Sequence, residues 1–143
     1  MQKGLARLAG VTGVGGSFVC DHGGEVLESS NPAPLATATM QMIGRQIAQT
    51  HAALASADYA VHHIEFVYDC WRLLARDLGN AQLFILCEPG ADMSLVRLTA
   101  DVVATGWHAD KGVQKRLAGR TRREGLTRDT LDEVSWRLLN QGT

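Results

Sequence analysis

Residues 5–30, LARLAGVTGVGGSFVCDHGGEVLESS, contain the signals that decide the fold of this chain. Leucine and alanine at helical spacing predict a short helix over residues 2–9. From residue 13 to residue 21 the side chains alternate between two sides, which is typical of a strand. The His-Gly-Gly at residues 22–24 supplies a tight turn, and residues 25–29 return as a second strand. The stretch therefore predicts a helix followed by a β-hairpin.

Proline and glycine divide the remaining sequence into further elements. An Asn-Pro-Ala-Pro break at residues 31–34 precedes a long stretch with an apolar face at helical spacing. Three strands and a helix are predicted after it. The last strand is almost unbroken in hydrophobicity, so it should lie in the middle of a sheet that is covered on both faces. The expected elements are a helix over 35–57, strands over 59–68, 70–78 and 81–88, and a helix from Asp92 or Ser94 to Trp107.

Length and composition favour one soluble domain. The 143 residues have 45% hydrophobic and 20% charged side chains, which suits a globular protein with a single core and argues against disorder. We find neither a signal peptide nor an apolar run of about 20 residues, so we expect a cytoplasmic protein without a membrane span. The odd, widely spaced cysteines (Cys20, Cys70 and Cys87) are interpreted as small buried hydrophobic residues.

The C-terminal part of the chain differs in charge from the rest. Residues 1–109 carry 6 Lys and Arg against 10 Asp and Glu, whereas residues 110–143 carry 8 against 5. We therefore expect a domain over 1–109 and a basic extension over 110–143. Residues 110–128 lack a sustained apolar stripe, but a capping box at 130–133 predicts a short amphipathic helix. Its apolar face comprises Leu131, Val134, Leu138 and Leu139.

The order of elements, together with two segments, resembles the Roadblock family of dynein light chains and GTPase regulators. The first segment is the one quoted above, with its short helix, small-residue strand and Asp-x-x-Gly turn. The second is QLFILCEPGADMSLVRLTADVV at residues 82–103. The resemblance covers about residues 3–108 and rests on this pattern, because the family has no invariant catalytic motif.

The resemblance implies an α/β (α+β) domain with a profilin-like or longin-like five-stranded antiparallel sheet. Its element order would be α-β-β-α-β-β-β-α plus a C-terminal tail helix, with the long helix on one face and the terminal helices on the other. Roadblock domains pair through the long helix and the neighbouring edge strand, which also protects that edge from aggregation. The implied homodimer residues are Met40, Ile43, Ile47, Leu54, Val61 and His63.

The function implied by the resemblance is regulation of a small Ras-like GTPase by a homodimer, through protein contact and without enzymatic activity or a cofactor. A C-terminal extension contributes to GTPase contact in some members, and here that contact would involve Leu131, Val134, Trp136 and Leu138. The alternative is a structural adaptor in a larger complex that does not affect nucleotide turnover. A small-molecule sensor has less support, since no residue stands out as an anchor for a cofactor.

Other motifs favour structural interpretations. Residues 10–17 (GVTGVGGS) lack the lysine of a phosphate-binding loop, and their small side chains would let the long helix pack close to the strand. His62 and His63 point to opposite faces of one strand, which argues against a metal site, and His51 and His108 have no evident companions. The basic cluster at 115–123 is either a solvated linker or a partner site. Its few aromatic neighbours argue against nucleic-acid binding.

Overall fold

A computed structural model describes residues 1–58 and 62–124, with the backbone alone for residues 119–124. The chain contains four helices and five strands within these residues. They are α1 (Gln2–Ala9), β1 (Val14–Asp21), β2 (Val26–Ser29), α2 (Thr37–Ser56), β3 (His63–Val67), β4 (Arg72–Asp77), β5 (Ala81–Cys87), α3 (Met93–Ala109) and α4 (Lys111–Glu124). The predicted order through α3 is confirmed.

The five strands form one antiparallel sheet in the order β2-β1-β5-β4-β3. The apolar strand β5 lies at the centre, as its sequence predicts, because helices cover it on both faces. Strands β2 and β3 are the two edges. The predicted fold class, a helix-flanked five-stranded antiparallel sheet, is confirmed.

Two hydrophobic cores lie on opposite faces of the sheet. On one face α1, α3 and α4 pack over side chains such as Val19 and Leu83. On the other face α2 packs over Phe18 and Phe84, whose rings are stacked with centroids 4.9 Å apart. Neighbouring residues of one strand therefore belong to different cores, since successive side chains point to opposite faces.

The close approach of α2 to the sheet depends on a glycine of the helix. A Cβ atom at Gly44 would lie 2.9 Å from the Cβ of Cys20, so a larger side chain would push α2 away from β1. In β1, by contrast, a Cβ at Gly16 would lie 2.5 Å from Pro34, which precedes α2. The small residues of β1 thus make room for the loop that enters α2, and the prediction that they accommodate the helix itself is corrected.

Helix α4 was not predicted, because residues 110–128 contain so few apolar side chains. Two of them suffice to anchor it: Val113 and Leu117 are 6% and 1% exposed and pack into the core under α3. The carboxylate of Asp110 caps the helix by accepting hydrogen bonds from the backbone N–H groups of Gly112 and Val113 at 2.9 and 3.2 Å. The first part of the predicted extension is therefore packed on the domain.

The cysteines differ in their environments. Cys20 and Cys87 are buried, as predicted, but Cys70 lies exposed in the turn between β3 and β4, where the prediction of burial is wrong.

Among the described residues, no helix is both long and apolar enough to cross a membrane.

Candidate functional site

Strand β3 is an open edge of the sheet. It pairs with β4 along its length, from His63 opposite Arg76 to Val67 opposite Arg72. No other described strand pairs with its second side. An edge of this kind presents backbone N–H and C=O groups that can pair with another strand.

The face of β3 and β4 that points toward α2 is apolar and only half covered. Helix α2 lies mainly over β1 and β2, at the other end of the sheet. Ile64, Phe66 and Trp71 pack on the margin of the core beneath α2 and remain partly accessible. Tyr68 is 46% exposed and stacks on Trp71 with ring centroids 4.2 Å apart. We call Ile64, Phe66, Tyr68 and Trp71 the open face.

The long helix presents three of the predicted interface residues to its own sheet. Met40, Ile43 and Ile47 are 2%, 9% and 4% exposed and belong to the core beneath α2. A partner could not contact Met40 or Ile47 without repacking that core, so the structure assigns them a structural role. Helical periodicity detects the apolar face of α2 but cannot tell whether a partner or the chain's own sheet covers it. Leu54 is half-buried near the end of the helix.

The opposite face of β3 contacts polar side chains of α3. Nε2 of His63 lies 2.9 Å from Oδ1 of Asp101, which Arg76 also contacts at 2.9 Å. One turn earlier on α3, Arg97 contacts Glu65 at 3.1 Å. His63 therefore faces α3 rather than the open face, while remaining on the edge strand.

These contacts fix β3 against the rest of the molecule while leaving its outer edge and its open face accessible. Val61, the remaining predicted dimer residue, lies outside the described residues. So do the predicted partner-binding residues Leu131, Val134, Trp136 and Leu138.

Comparison with known proteins gives matches among solved structures only. No family model matches the sequence, and no curated protein matches it. A Roadblock/LC7 domain from Streptomyces avermitilis superposes with a TM-score of 0.65 at 12% identity, covering 76% of this chain and 94% of that chain. MglB from Myxococcus xanthus superposes with a TM-score of 0.65 at 14% identity, covering 73% of this chain and 88% of that chain. The gliding protein MglB from Thermus thermophilus superposes with a TM-score of 0.60 at 18% identity, covering 71% of this chain and 81% of that chain.

The chain has the Roadblock/LC7 fold. The resemblance predicted from residues 5–30 and 82–103 is confirmed at the level of the fold. The sequence identities lie below the range in which fold similarity alone transfers a function, so function must be argued from the surfaces of this chain.

The two buried thiols of this domain are poorly suited to nucleophilic chemistry. Burial raises the pKa of Cys20 to about 12 and that of Cys87 to about 11, so both thiols stay protonated at neutral pH. Within residues 1–58 and 62–124, no group of three or more His, Cys, Asp and Glu side chains could hold a metal ion.

A cavity of about 220 Å³ lies between the C-terminal half of α3, α4 and the β4–β5 turn. Two of its polar lining residues are engaged in contacts within the chain. Arg76 donates hydrogen bonds to Asp101 and to the Asp77 carbonyl, and Gln114 donates to the Trp107 carbonyl. Asp77, Thr105 and His108 complete the polar lining.

Sequence reasoning missed a histidine cluster at the end of the sheet. His51 on α2 has a partner after all: its Nε2 lies 3.3 Å from Oδ2 of Asp77. His22, in the β1–β2 turn, lies nearby, and burial lowers its pKa below the ordinary value despite the opposing influence of Asp77. No local motif joins these residues, because α2, the hairpin turn and β4 are far apart in sequence.

Proposed function

We propose that this chain is a homodimeric regulator of a small Ras-like GTPase, which acts by protein contact and has no catalytic site of its own. The observation that carries the proposal is the combination, at β3, of an unpaired strand edge with a half-covered apolar face. Each feature alone is an aggregation hazard, and a specific partner that covers both removes it.

A second copy of the chain satisfies both features at once. Two β3 strands related by a two-fold axis pair antiparallel, which joins two five-stranded sheets into one of ten strands. The same axis brings the open face of one protomer against α2 of the other, where Phe66 and the Tyr68–Trp71 stack supply aromatic anchors. We infer that the dimer interface consists of β3, the open face and the adjoining side of α2, including Leu54.

Regulation of a GTPase requires only that the dimer bind one nucleotide state more tightly than the other. The likeness to MglB structures supports a regulator of this kind. We further propose that Leu131, Val134, Trp136 and Leu138 form an accessory contact with the GTPase.

The first experiment measures mass by light scattering, for the protein alone and mixed with the small GTPase encoded nearest to its gene. We expect a dimer of about 31 kDa, twice the chain mass of 15.4 kDa, that binds the GTP-analogue form and not the GDP form. A stable monomer would contradict the dimer. A dimer that binds regardless of nucleotide would favour the adaptor function instead.

The accessory contact has a separate test. Deletion of residues 128–143 should weaken GTPase binding while leaving the dimer mass unchanged, because the proposed dimer interface lies wholly within β3, the open face and α2. Unchanged GTPase affinity would remove the accessory contact from the proposal and leave the dimer standing.

A further inference from the structure

The outer side of α3 carries an apolar stripe that residues 1–58 and 62–118 leave exposed. Leu95, Leu98 and Val102 are 45%, 61% and 42% exposed. Their spacing of three and four residues aligns them along one side of the helix, opposite the buried residues Val96 and Val103. Single exposed leucines are common in proteins, but three in line over two turns form a continuous surface.

Basic residues of α1 border the helical layer that contains this stripe. Gly4 of α1 packs against Trp107 near the end of α3, and Gly13 beyond α1 packs against Ala91 before its start, so the two helices run antiparallel. Lys3 and Arg7 are exposed and lie one turn apart on α1. The outer surface of this layer is thus apolar on α3 and positively charged on α1.

Residues 130–139 of the same chain complement this surface. Leu131, Val134 and Leu138 repeat the three-and-four spacing of the α3 stripe. The segment begins with a capping box whose Asp132 and Glu133 are acidic, opposite in sign to the charges on α1. An amphipathic helix with this pattern can pack its apolar face along α3 while its first turn faces the basic side chains.

The path of the chain brings the segment to the correct layer. Helix α4 follows α3 directly and anchors in the same core through Val113 and Leu117. From the end of α4 at Glu124 to Thr130 the extended chain can span about 20 Å. The described chain therefore ends, at Glu124, in the helical layer that carries the stripe.

We propose that residues 130–139 form an amphipathic helix that docks on the Leu95–Leu98–Val102 stripe of α3, with Asp132 directed toward Lys3 and Arg7. This docking does not rest on the GTPase function. It gives the segment a resting position in the free protein that is distinct from its proposed contact with the GTPase.

Hydrogen–deuterium exchange of the full chain tests the docking. Amides of residues 131–139 should exchange at least tenfold more slowly than in a synthetic peptide of residues 125–143, and Leu98→Glu should abolish that protection. Gln49→Glu adds the same charge to an exposed site of α2, on the other face of the sheet, so it should leave the protection intact. Because Leu98 is exposed, protection of the core strand β5 should be the same in both variants.

Two further sets of variants test the charge contact with α1 and the docking of the segment within one chain. Lys3→Glu combined with Arg7→Glu should reduce the protection, and adding Asp132→Lys should restore it. In a Cys70→Ser background, cysteines at Leu98 and Val134 should form a disulfide. An intrachain bond supports the proposal, whereas an exclusively interchain bond would assign the stripe to the segment of another copy and would overturn it.

Equal exchange of residues 131–139 in the full chain, in Leu98→Glu and in the free peptide would overturn the proposal. Protection of α3 that develops only after a partner protein is added, with the tail still exchanging freely, would assign the stripe to that partner and overturn it as well.

Discussion

The two edges of the sheet are built in opposite ways. Strand β2 is short and is closed by side chains: Arg116 of α4 donates hydrogen bonds to the Glu28 carboxylate at 3.1 Å and to the Leu27 carbonyl, and Gln2 of α1 also binds Glu28. Strand β3 has an unpaired edge and an apolar face that α2 leaves half covered. One chain therefore contains a protected edge and an accessible one.

This difference shows that edge protection in the domain is selective. Arg116, Gln2 and Glu28 form a polar clamp on β2. The clamp satisfies polar groups of the strand without offering a partner any apolar surface to bury, so the edge stays in contact with solvent. Hydrogen bonds from Arg116 and Gln2 lower the pKa of Glu28, against the opposing effect of its burial, so the clamp is charged at neutral pH. The open face offers aromatic area instead, which is the usual source of binding energy at protein interfaces.

The largest expected effect comes from placing a charge on the open face. Phe66→Asp should weaken dimerisation at least about 100-fold, equivalent to roughly 2.7 kcal/mol, because the dimer would bury an unpaired carboxylate. Light scattering at micromolar concentration should then give the monomer mass of 15.4 kDa.

The matched control is Ser29→Asp on the closed edge, which should leave the dimer intact. Because Phe66 also packs against the core of its own chain, Tyr68→Asp provides a second variant on a more exposed side chain and should weaken the dimer by a smaller factor. Folded dimers of both Phe66→Asp and Tyr68→Asp would show that β3 is not the interface.

Sequence patterns predict the interior of this molecule better than its surfaces. The apolar run at residues 82–87 placed β5 at the centre because such a strand must be covered on both faces. The same logic could not locate the interface, since Met40 and Ile47 have the periodicity of an interface helix but pack on their own sheet. Helix α4 was missed because two buried residues, Val113 and Leu117, are too few to produce a visible stripe.

A smaller effect is expected from opening the closed edge. Arg116→Met keeps much of the side-chain volume but removes the hydrogen bonds to Glu28 and Leu27, and we expect a loss of about 1 kcal/mol of unfolding free energy, since the guanidinium is partly exposed. Lys115→Met changes a neighbouring exposed residue and serves as the control in urea denaturation. Equal stability of the two variants would mean that the clamp contributes nothing to holding α4 on β2.

The smallest expected effect is a change in the pH dependence of the unfolding free energy, and it again distinguishes the two edges of the sheet. His22, in the turn that leads into the closed edge, is surrounded by Asp21, Asp77, His51 and the Gly79 backbone, and burial lowers its pKa. At high pH the histidine is neutral in both the folded and the unfolded protein. As pH falls below its ordinary value of about 6.5, the unfolded chain takes up a proton more readily, so the folded state loses stability.

His22→Gln should therefore reduce the slope of unfolding free energy against pH between about 6.5 and 5, as measured by urea denaturation at each pH. The slope in this window has the sign expected of a buried neutral histidine, with stability decreasing toward acid. His62→Gln, at an exposed site beside the open edge, should leave the slope unchanged. If His22→Gln retains the full slope, other groups cause the loss of stability at acid pH, and the turn that leads into the closed edge contributes none of it.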